Sequence, residues 1–142
     1  MKKLAIIGSG DLGQQIAYHA TEDKQFEVVG FFDDFKDSGS IVNGIPVLGG
    51  LNDVLSAFNN AFFDELLIGI GYKHIAFRTQ VYTQFKEEIT FAKLIHSSCF
   101  IDKSSFIGDG VIICPGSIVD HNVRIEENVL LNVGCCIAHD TE

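Results

Sequence analysis

Apolar residues recur at a strict spacing of six along the C-terminal part of the chain. The positions of this column all carry a large aliphatic side chain: Ile101, Ile107, Ile113, Val119, Ile125, Leu131 and Ile137. A second column, four residues after each of these, is small or β-branched: Ser105, Val111, Ser117, Val123, Val129, Cys135 and Thr141. A six-residue period of this kind is typical of a parallel β-helix, in which three repeats close one triangular coil. The pattern therefore predicts a β-helix over residues 101–142, with the aliphatic column inside.

The N-terminal part has a different pattern, because short apolar runs alternate with amphipathic segments. The runs predict strands over residues 4–7, 27–32, 45–48, 65–70 and 91–95. Helices are expected from Gly13 to about Thr21, from Asn52 or Asp53 to Phe58, and over residues 73–87 with Ile75, Val81 and Phe85 buried. This alternation is typical of an α/β fold with a parallel sheet. We expect a small Rossmann-like domain over residues 1–97 and incomplete β-helix coils over residues 98–142.

The first predicted strand runs directly into a glycine-rich loop. Residues 8–13 read Gly-Ser-Gly-Asp-Leu-Gly, a G-x-G-x-x-G pattern between a strand and a helix. Such glycines let backbone amides approach a phosphate at the helix N-terminus. The second strand is followed by Asp33 and Asp34, at the interval where a carboxylate commonly contacts a ribose hydroxyl. The loop alone favours NAD, with a packing role of the glycines as the alternative.

The space before the repeats limits the size of the ligand. The residues that precede the β-helix are too few for the two halves that clasp a dinucleotide. Half of such a fold can hold one nucleotide, so a nucleotide-sugar fits better than NAD. Gly69, Ile70 and Gly71 end the third core strand and should lie beside the first loop, because open parallel sheets bind ligands at the carboxyl ends of their strands.

The charge and the apolar content of the chain exclude some classes of binding partner. With 10 Lys+Arg against 19 Asp+Glu and a net charge of −9, the chain has little material for a basic face that would bind nucleic acid. The apolar run after Lys2 and Lys3 is too short for a signal peptide, and no run reaches transmembrane length. The four cysteines lack C-x-x-C spacing and are expected to be reduced, with Cys135 facing inward and Cys136 outward. We therefore expect a cytoplasmic protein that binds neither nucleic acid nor membrane.

Taken together, these motifs resemble the PglD/NeuD-like sugar acyltransferases. The glycine loop, the Asp-Asp pair, the Gly-Ile-Gly segment and coils entered through Leu94-Ile95-His96 carry the resemblance, which covers the whole chain. It implies a left-handed β-helix that binds acetyl-CoA between subunits, and a nucleotide-sugar site in the N-terminal domain. The implied nucleotide-sugar contacts are Gly8, Ser9, Gly10, Gly13, Asp33, Asp34, Gly69, Ile70 and Gly71. The loop departs from the family in having Asp11-Leu12 where a histidine is frequent.

The resemblance also assigns the chemistry. In such enzymes a histidine acts as general base on the attacking amine or hydroxyl. His139 occupies the matching position, and Asp140 matches the carboxylate that fixes the imidazole tautomer and stabilises the imidazolium. His121 lies one coil of eighteen residues before His139, so the two should stack on coils about 4.8 Å apart. No carboxylate or cysteine partners complete a metal site around them, so no metal is predicted. The other histidines are expected to be structural or exposed: His19, His74 and His96.

The leading hypothesis is an acetyltransferase that moves an acetyl group from acetyl-CoA to an amino group of a UDP-amino-sugar or related NDP-sugar, for surface-glycan or glycoprotein biosynthesis. O-acetylation of a sialic-acid-type sugar is the nearest alternative, because the same base serves both reactions. The sequence ends three residues after His139, where related enzymes continue for further coils. It is therefore expected to be a truncated or shortened member, and a homotrimer is expected of the full-length form. Alternatives of other classes are a non-catalytic nucleotide-sugar-binding module, an NAD-dependent oxidoreductase and a scaffolding β-helix.

Overall fold

The computed structural model describes every residue from Met1 to Glu142. The chain divides into two compact units, Met1–Phe91 and Ala92–Glu142. The apolar pattern predicts a boundary after residue 97, whereas residues 92–97 belong to the second unit. The reason is the pairing of Leu94–Ile95, which hydrogen-bonds a strand of the second unit and none of the first.

The first unit is a five-stranded sheet with three α-helices. Its strands are β1 (Lys3–Ile7), β2 (Glu27–Phe32), β3 (Ile41–Val42), β4 (Ile45–Gly49) and β5 (Glu65–Ile68). Its helices are α1 (Asp11–Glu22), α2 (Val54–Asn59) and α3 (Ile75–Phe85), with short 3-10 turns at Leu51–Asp53 and Tyr72–His74. The strand order is β3-β4-β2-β1-β5, and only the β3–β4 pair is antiparallel. The predicted α/β class is confirmed.

Strand β1 lies in the middle of this sheet, between β2 and β5. Its residues from Leu4 to Ile7 are all buried, which explains why they form an unbroken apolar run. At its carboxyl end, Gly8 N–H donates to Phe32 O at 2.8 Å, and Gly69 N–H donates to Ile7 O at 2.7 Å. The loops that follow β1, β2 and β5 therefore meet at one edge of the sheet, as the sequence predicts.

The main core of the first unit packs helices α2 and α3 against one face of the sheet. It is rich in aromatic side chains, among them Phe32, Phe58, Phe63, Tyr82, Phe85 and Phe91. Val81 and Phe85 are buried as predicted, but Ile75 is 61% exposed. Ile75 is the first residue of α3, one turn before Arg78 reaches the end of β5, so it lies beyond the core.

Two predicted strands differ from the structure. β5 ends at Ile68, two residues before the predicted end, because the following residues turn away into a loop held by other contacts. The predicted strand over residues 91–95 does not form in the first sheet, where Phe91 makes only an isolated parallel bridge to Leu66.

The second unit is a parallel β-helix of eight two-residue strands. They are β6 (Leu94–Ile95), β7 (Phe100–Ile101), β8 (Phe106–Ile107), β9 (Ile112–Ile113), β10 (Ile118–Val119), β11 (Arg124–Ile125), β12 (Leu130–Leu131) and β13 (Cys136–Ile137). They form three parallel sheets, β7-β10-β13, β8-β11 and β6-β9-β12. The predicted aliphatic column supplies the second residue of every strand from β7 onward and packs in the interior. The coils begin one repeat earlier than predicted, at Ile95.

The cysteines agree with their predicted directions. Cys135 packs against the interior of the β-helix and Cys136 is exposed, and all four thiols are free. None of the helices is both long enough and apolar enough to cross a membrane.

Candidate functional site

A cavity of about 530 Å³ lies at the edge of the sheet where the loops after β1, β2 and β5 meet. Its lining includes eight of the nine predicted ligand residues: Gly8, Ser9, Gly10, Asp33, Asp34, Gly69, Ile70 and Gly71. These residues come from three separate loops, and the parallel order of the strands brings them together. A cavity of this size at the carboxyl ends of parallel strands suits a small-molecule ligand.

Gly13 is the predicted ligand residue that does not line the cavity. A Cβ at Gly13 would overlap the carbonyl oxygen of Gly8, and a Cβ at Gly69 would lie 2.6 Å from Gly13 Cα. Gly8 itself has a φ of +94°, in the region that favours glycine. Gly13 is thus needed so that the start of α1 can pack closely against both loops.

Ser9 and Asp33 connect the first loop to the second. Ser9 is fully buried, its hydroxyl donates to Asp33 Oδ2 at 2.5 Å, and its backbone N–H donates to the same oxygen at 3.0 Å. The other oxygen, Oδ1, accepts the N–H of Phe35 at 2.9 Å. Partial burial acts to raise the pKa of Asp33, but these hydrogen bonds outweigh it and the pKa lies below its ordinary value. Asp33 therefore holds the site together as an ionised carboxylate.

Asp34 is exposed beside the cavity and, unlike Asp33, hydrogen-bonds the turn that follows β4. Its Oδ1 accepts the N–H of Leu51 at 2.8 Å, which attaches the turn after β4 to the loop after β2. A Cβ at Gly50 would overlap the same oxygen, so the turn approaches Asp34 through a glycine. The two neighbouring aspartates thus fix loops on opposite sides, and Asp34 is the more accessible of the two.

The cavity also has lining residues that the sequence pattern does not single out. Tyr72, Lys73, His74 and Phe77 follow β5, and the 96% exposed Phe35 follows β2. Lys73 adds a cationic side chain to the lining and His74 adds an imidazole, while the aromatic rings offer flat apolar surfaces. These residues could have been found from their position in the sequence, because residues directly after a parallel strand lie at the ligand-binding edge of the sheet. His74, expected to be structural or exposed, is exposed at this cavity.

Arg78 supports the loop that follows β5 by hydrogen bonds to its backbone. This buried residue of α3 donates from Nη1 to Ile68 O at 2.7 Å and to Ile70 O at 3.1 Å. Burial lowers the pKa of Arg78 to about 10, so the guanidinium stays charged at neutral pH. The contacts fix the carbonyl groups of the Gly69–Gly71 loop. A basic residue within the apolar stripe of a helix was the sequence signal for this role.

A second cavity of the first unit, of about 640 Å³, lies beside α1 and β2. Its lining contains Glu22 and Glu27 and no Lys, Arg or His side chain. It also lies away from the loops at the carboxyl edge of the sheet. Although larger, this cavity is lined by neither the glycine loop nor a lysine or arginine, so the glycine-loop cavity is the better candidate for a nucleotide.

In the second unit, His139 and Asp140 lie at the corner that follows β13. His139 Nδ1 is 2.9 Å from Asp140 Oδ2, and both side chains are largely exposed. The hydrogen bond and charge of Asp140, with a smaller contribution from Asp120, raise the pKa of His139 above 6.5. The pKa of Asp140 is lowered by hydrogen bonds from Asn122 and from His139. An imidazole held by a carboxylate at Nδ1 leaves Nε2 available to accept a proton.

His121 lies at the corner one coil before His139, as predicted. Its carbonyl oxygen accepts the N–H of Asp140 at 3.0 Å, so the two corners stack. Its Nδ1 is 3.0 Å from Ser104 Oγ and 3.8 Å from Asp102 Oδ2. The charge of His121 acts on the pKa of Asp140. No group of three or more His, Cys, Asp and Glu side chains is arranged to hold a metal ion.

Comparison with known proteins places the first unit in a described family. Residues 3–85 match the model of the PglD N-terminal domain. No curated protein matches the sequence significantly.

Solved structures resemble the whole chain. The acetyltransferase domain of PglB from Neisseria gonorrhoeae, in complex with acetyl coenzyme A, is 26% identical with a TM-score of 0.84, over 98% of this chain and 65% of that chain. PerB from Caulobacter crescentus, in complex with CoA and GDP-perosamine, is 19% identical with a TM-score of 0.83, over 99% and 64%. At that identity the second match shows the fold alone. The chain thus spans just under two thirds of the length of these structures.

Proposed function

We propose, from the premise that the chain belongs to the PglD N-terminal domain family, that it is an acetyl-CoA-dependent sugar acetyltransferase or the larger part of one. The acetyl group would pass from acetyl-CoA to an amino group of an NDP-amino-sugar. Support for the activity comes from the PglB structure, an acetyltransferase domain that contains acetyl coenzyme A, while PerB supports the fold. The observation that carries the proposal is the hydrogen-bonded pair of His139 and Asp140 at a β-helix corner.

The glycine-loop cavity is the proposed site of the nucleotide-sugar, for which a UDP-amino-sugar is our first candidate. The backbone amides of Gly10 and of the first turn of α1 suit the diphosphate, because a helix N-terminus favours an anion. Gly8 and Ser9 line the same cavity, but their own N–H groups already donate to Phe32 O and Asp33 Oδ2. Lys73 adds a cationic side chain at the same cavity, and the His74 imidazole lies beside it.

The remaining predicted residues divide by role in this proposal. Asp34 is exposed at the cavity and suits a ribose hydroxyl, as the Gly69–Gly71 loop suits the opposite side of the ligand. Asp33 and Gly13 support the loops, because Asp33 is engaged by Ser9 and Phe35 and Gly13 packs under Gly8.

In the proposed reaction His139 Nε2 takes a proton from the sugar amine as the amine nitrogen attacks the thioester carbonyl carbon. The C–N bond forms while the carbonyl becomes tetrahedral, and collapse of this intermediate breaks the C–S bond. The proton held by His139 leaves with the CoA thiolate as the free thiol. Asp140 keeps the Nδ1 proton in place and stabilises the imidazolium during the transfer.

The β-helix also has a surface that supports a homotrimer. Phe100 is 57% and Ile118 is 45% exposed, and with Cys136 they follow one another on the β7-β10-β13 sheet. An exposed apolar row of this kind suits burial against another subunit. We place the protein in the cytoplasm, where its four free thiols would stay reduced, and its product in surface-glycan or glycoprotein biosynthesis.

One structural observation favours an alternative to catalysis. All residues that line the glycine-loop cavity lie in the first unit, which supports a nucleotide-sugar site formed by that unit alone. A non-catalytic nucleotide-sugar-binding module is therefore the second candidate. O-acetylation of a sialic-acid-type sugar would use the same His139 base, and the choice of acceptor distinguishes it from N-acetylation.

The test is calorimetric titration of the 142-residue chain with a UDP-amino-sugar, a GDP-amino-sugar, NAD and acetyl-CoA, followed by an acetyl-transfer assay. The proposal predicts binding of an NDP-amino-sugar, and a transfer rate that His139→Ala reduces at least 100-fold without weakening sugar binding. Lys103→Ala, an exposed change one coil below His121, is the control. Binding of NAD alone would contradict the proposal. Sugar binding without acetyl transfer would favour the binding module.

A further inference from the structure

Three polar residues lie at equivalent corners of successive β-helix coils: Ser104, Asn122 and Asp140. The backbone N–H of Asn122 donates to Ser104 Oγ at 2.8 Å, across eighteen residues of sequence. The side-chain amide of Asn122 then donates from Nδ2 to Asp140 Oδ1 at 2.8 Å, again across eighteen residues. These contacts form a row of hydrogen bonds that leads along the coils to the residue beside His139.

The last step of this row decides how Asp140 presents its carboxylate. Oδ1 accepts from Asn122 and Oδ2 faces His139 Nδ1 at 2.9 Å, so each oxygen has a different partner. The terminal torsion of an aspartate has a broad energy minimum and does not select an orientation by itself. Since Asp140 is largely exposed, packing does not select one either. The amide of Asn122 is the contact that turns Oδ2 toward the imidazole.

Asn122 is itself held in a defined position. Its φ is +55°, a left-handed conformation that asparagine adopts more readily than most residues. Below it, Ser104 Oγ accepts the Asn122 N–H, donates to Asp102 Oδ2 at 2.5 Å and contacts His121 Nδ1 at 3.0 Å. The hydrogen bond from the preceding corner therefore fixes the backbone from which the Asn122 side chain extends.

We propose that Asn122 is a positioning residue for the general base: its amide orients the Asp140 carboxylate, which in turn keeps the Nδ1 proton on His139 and leaves Nε2 free to accept one. The inference rests on the proposed acetyltransferase function, but the orientation of His139 is measurable without turnover. The Asn122 side chain hydrogen-bonds Asp140 and not His139, so the proposed effect on the imidazole passes through the carboxylate.

The other charged groups around this pair are few. Asp120 acts on His139 and His121 acts on Asp140, and both lie on the coil that carries Asn122. Neither is changed by a substitution at Asn122, so their effects are constant in the comparison.

The test is an NMR titration of the His139 imidazole in the full chain, with the tautomer read from the ring nitrogen shifts. Asn122→Gly removes the amide and tolerates the positive φ. Asn128→Gly is the control, because Asn128 has a similar φ of +60° at another corner. Asn122→Gly should lower the pKa of His139 toward 6.5 and reduce the fraction protonated at Nδ1, and the control should change neither. An unchanged pKa and tautomer in Asn122→Gly would overturn the proposal.

Two further variants separate positioning from a general loss of structure. Asn122→Asp keeps the size of the side chain but replaces its donor with a carboxylate, which should turn Asp140 away and reduce the Nδ1-protonated fraction. In an Asp140→Asn background, Asn122→Gly should have no further effect on His139, and an additive effect would refute action through Asp140. Failure of the proposed function would appear separately, as transfer that His139→Ala leaves unchanged.

Discussion

Ser9 and Asp33 join two loops of the nucleotide-site candidate through a pair of hydrogen bonds to one oxygen. The Ser9 hydroxyl and the Ser9 N–H both donate to Asp33 Oδ2, at 2.5 and 3.0 Å, across twenty-four residues of sequence. Because Ser9 is fully buried, this contact is protected from water. The glycine loop and the end of β2 therefore behave as one structural element, and the shape of the cavity depends on both.

Ser9→Ala should destabilise the protein by about 1–2 kcal/mol, because it removes a buried hydroxyl bonded to a charged group. The measurement is urea denaturation at pH 7. Ser38→Ala, which changes an exposed hydroxyl 3.5 Å from Leu48 O, should alter stability by less than about 0.5 kcal/mol. Equal effects of the two substitutions would contradict the role given to Ser9.

The contribution of Asp33 should disappear in acid. Its folded pKa lies below 3.8, so its ionised form stabilises the fold fully above that pH, and the stabilisation is lost as pH falls through the folded value. Denaturation of the wild type and Asp33→Asn across this range should show a stability difference at pH 5 that shrinks below pH 3.8. A difference independent of pH would mean that ionisation of Asp33 does not matter.

Two glycines of the same loop should respond differently to alanine. Gly13→Ala should destabilise the fold by more than about 2 kcal/mol, because the added Cβ would overlap the Gly8 carbonyl. Gly10→Ala should leave stability nearly unchanged, since a Cβ there meets nothing within 4 Å. It should nevertheless weaken NDP-sugar binding, because Gly10 lines the cavity. Thermal melting and calorimetric titration of both variants measure the two effects.

Arg78→Met should weaken nucleotide-sugar binding although Arg78 does not itself line the cavity. Loss of the buried guanidinium removes the donors to Ile68 O and Ile70 O and should destabilise the fold by about 2 kcal/mol or more. Lys73→Met is the matched control, since Lys73 is exposed at the cavity. It should reduce affinity for the nucleotide-sugar without changing the melting temperature. An unchanged stability of Arg78→Met would refute its supporting role.

Asp140→Asn should move the pH dependence of acetyl transfer to lower pH. The base must be neutral, and Asp140 raises the pKa of His139 above 6.5, so the wild-type rate should rise as pH passes through that raised value. Without the carboxylate the inflection should fall toward 6.5, and the maximal rate should drop because the tautomer is less well held. A profile with the wild-type inflection would exclude Asp140 as the partner of the base.

The order of elements followed from local patterns in most of the chain. The unbroken apolar run of β1 and the glycines after it predicted a strand and its loop, and the six-residue period predicted seven β-helix strands. The exceptions were positions where one pattern fits two environments. Leu94 and Ile95 read as a strand of either unit, and only their pairing with β9 assigns them to the β-helix. Ile75 matched the apolar stripe of α3, but it lies at the end of the helix, beyond the core.

By itself the sequence determined which backbone structures form and which loops carry the candidate chemistry, because strand, helix and coil periods are properties of neighbouring residues. Tertiary structure decided which side chains meet. Ser9 reaches Asp33 because β1 and β2 are adjacent parallel strands, and Asn122 reaches Asp140 because the coils place residues eighteen apart one above the other. The Ser9–Asp33 contact depends on strand order and register, which no local pattern contains. The eighteen-residue period predicts which β-helix positions stack, but it does not contain the side-chain direction that brings the Asn122 amide to the Asp140 carboxylate.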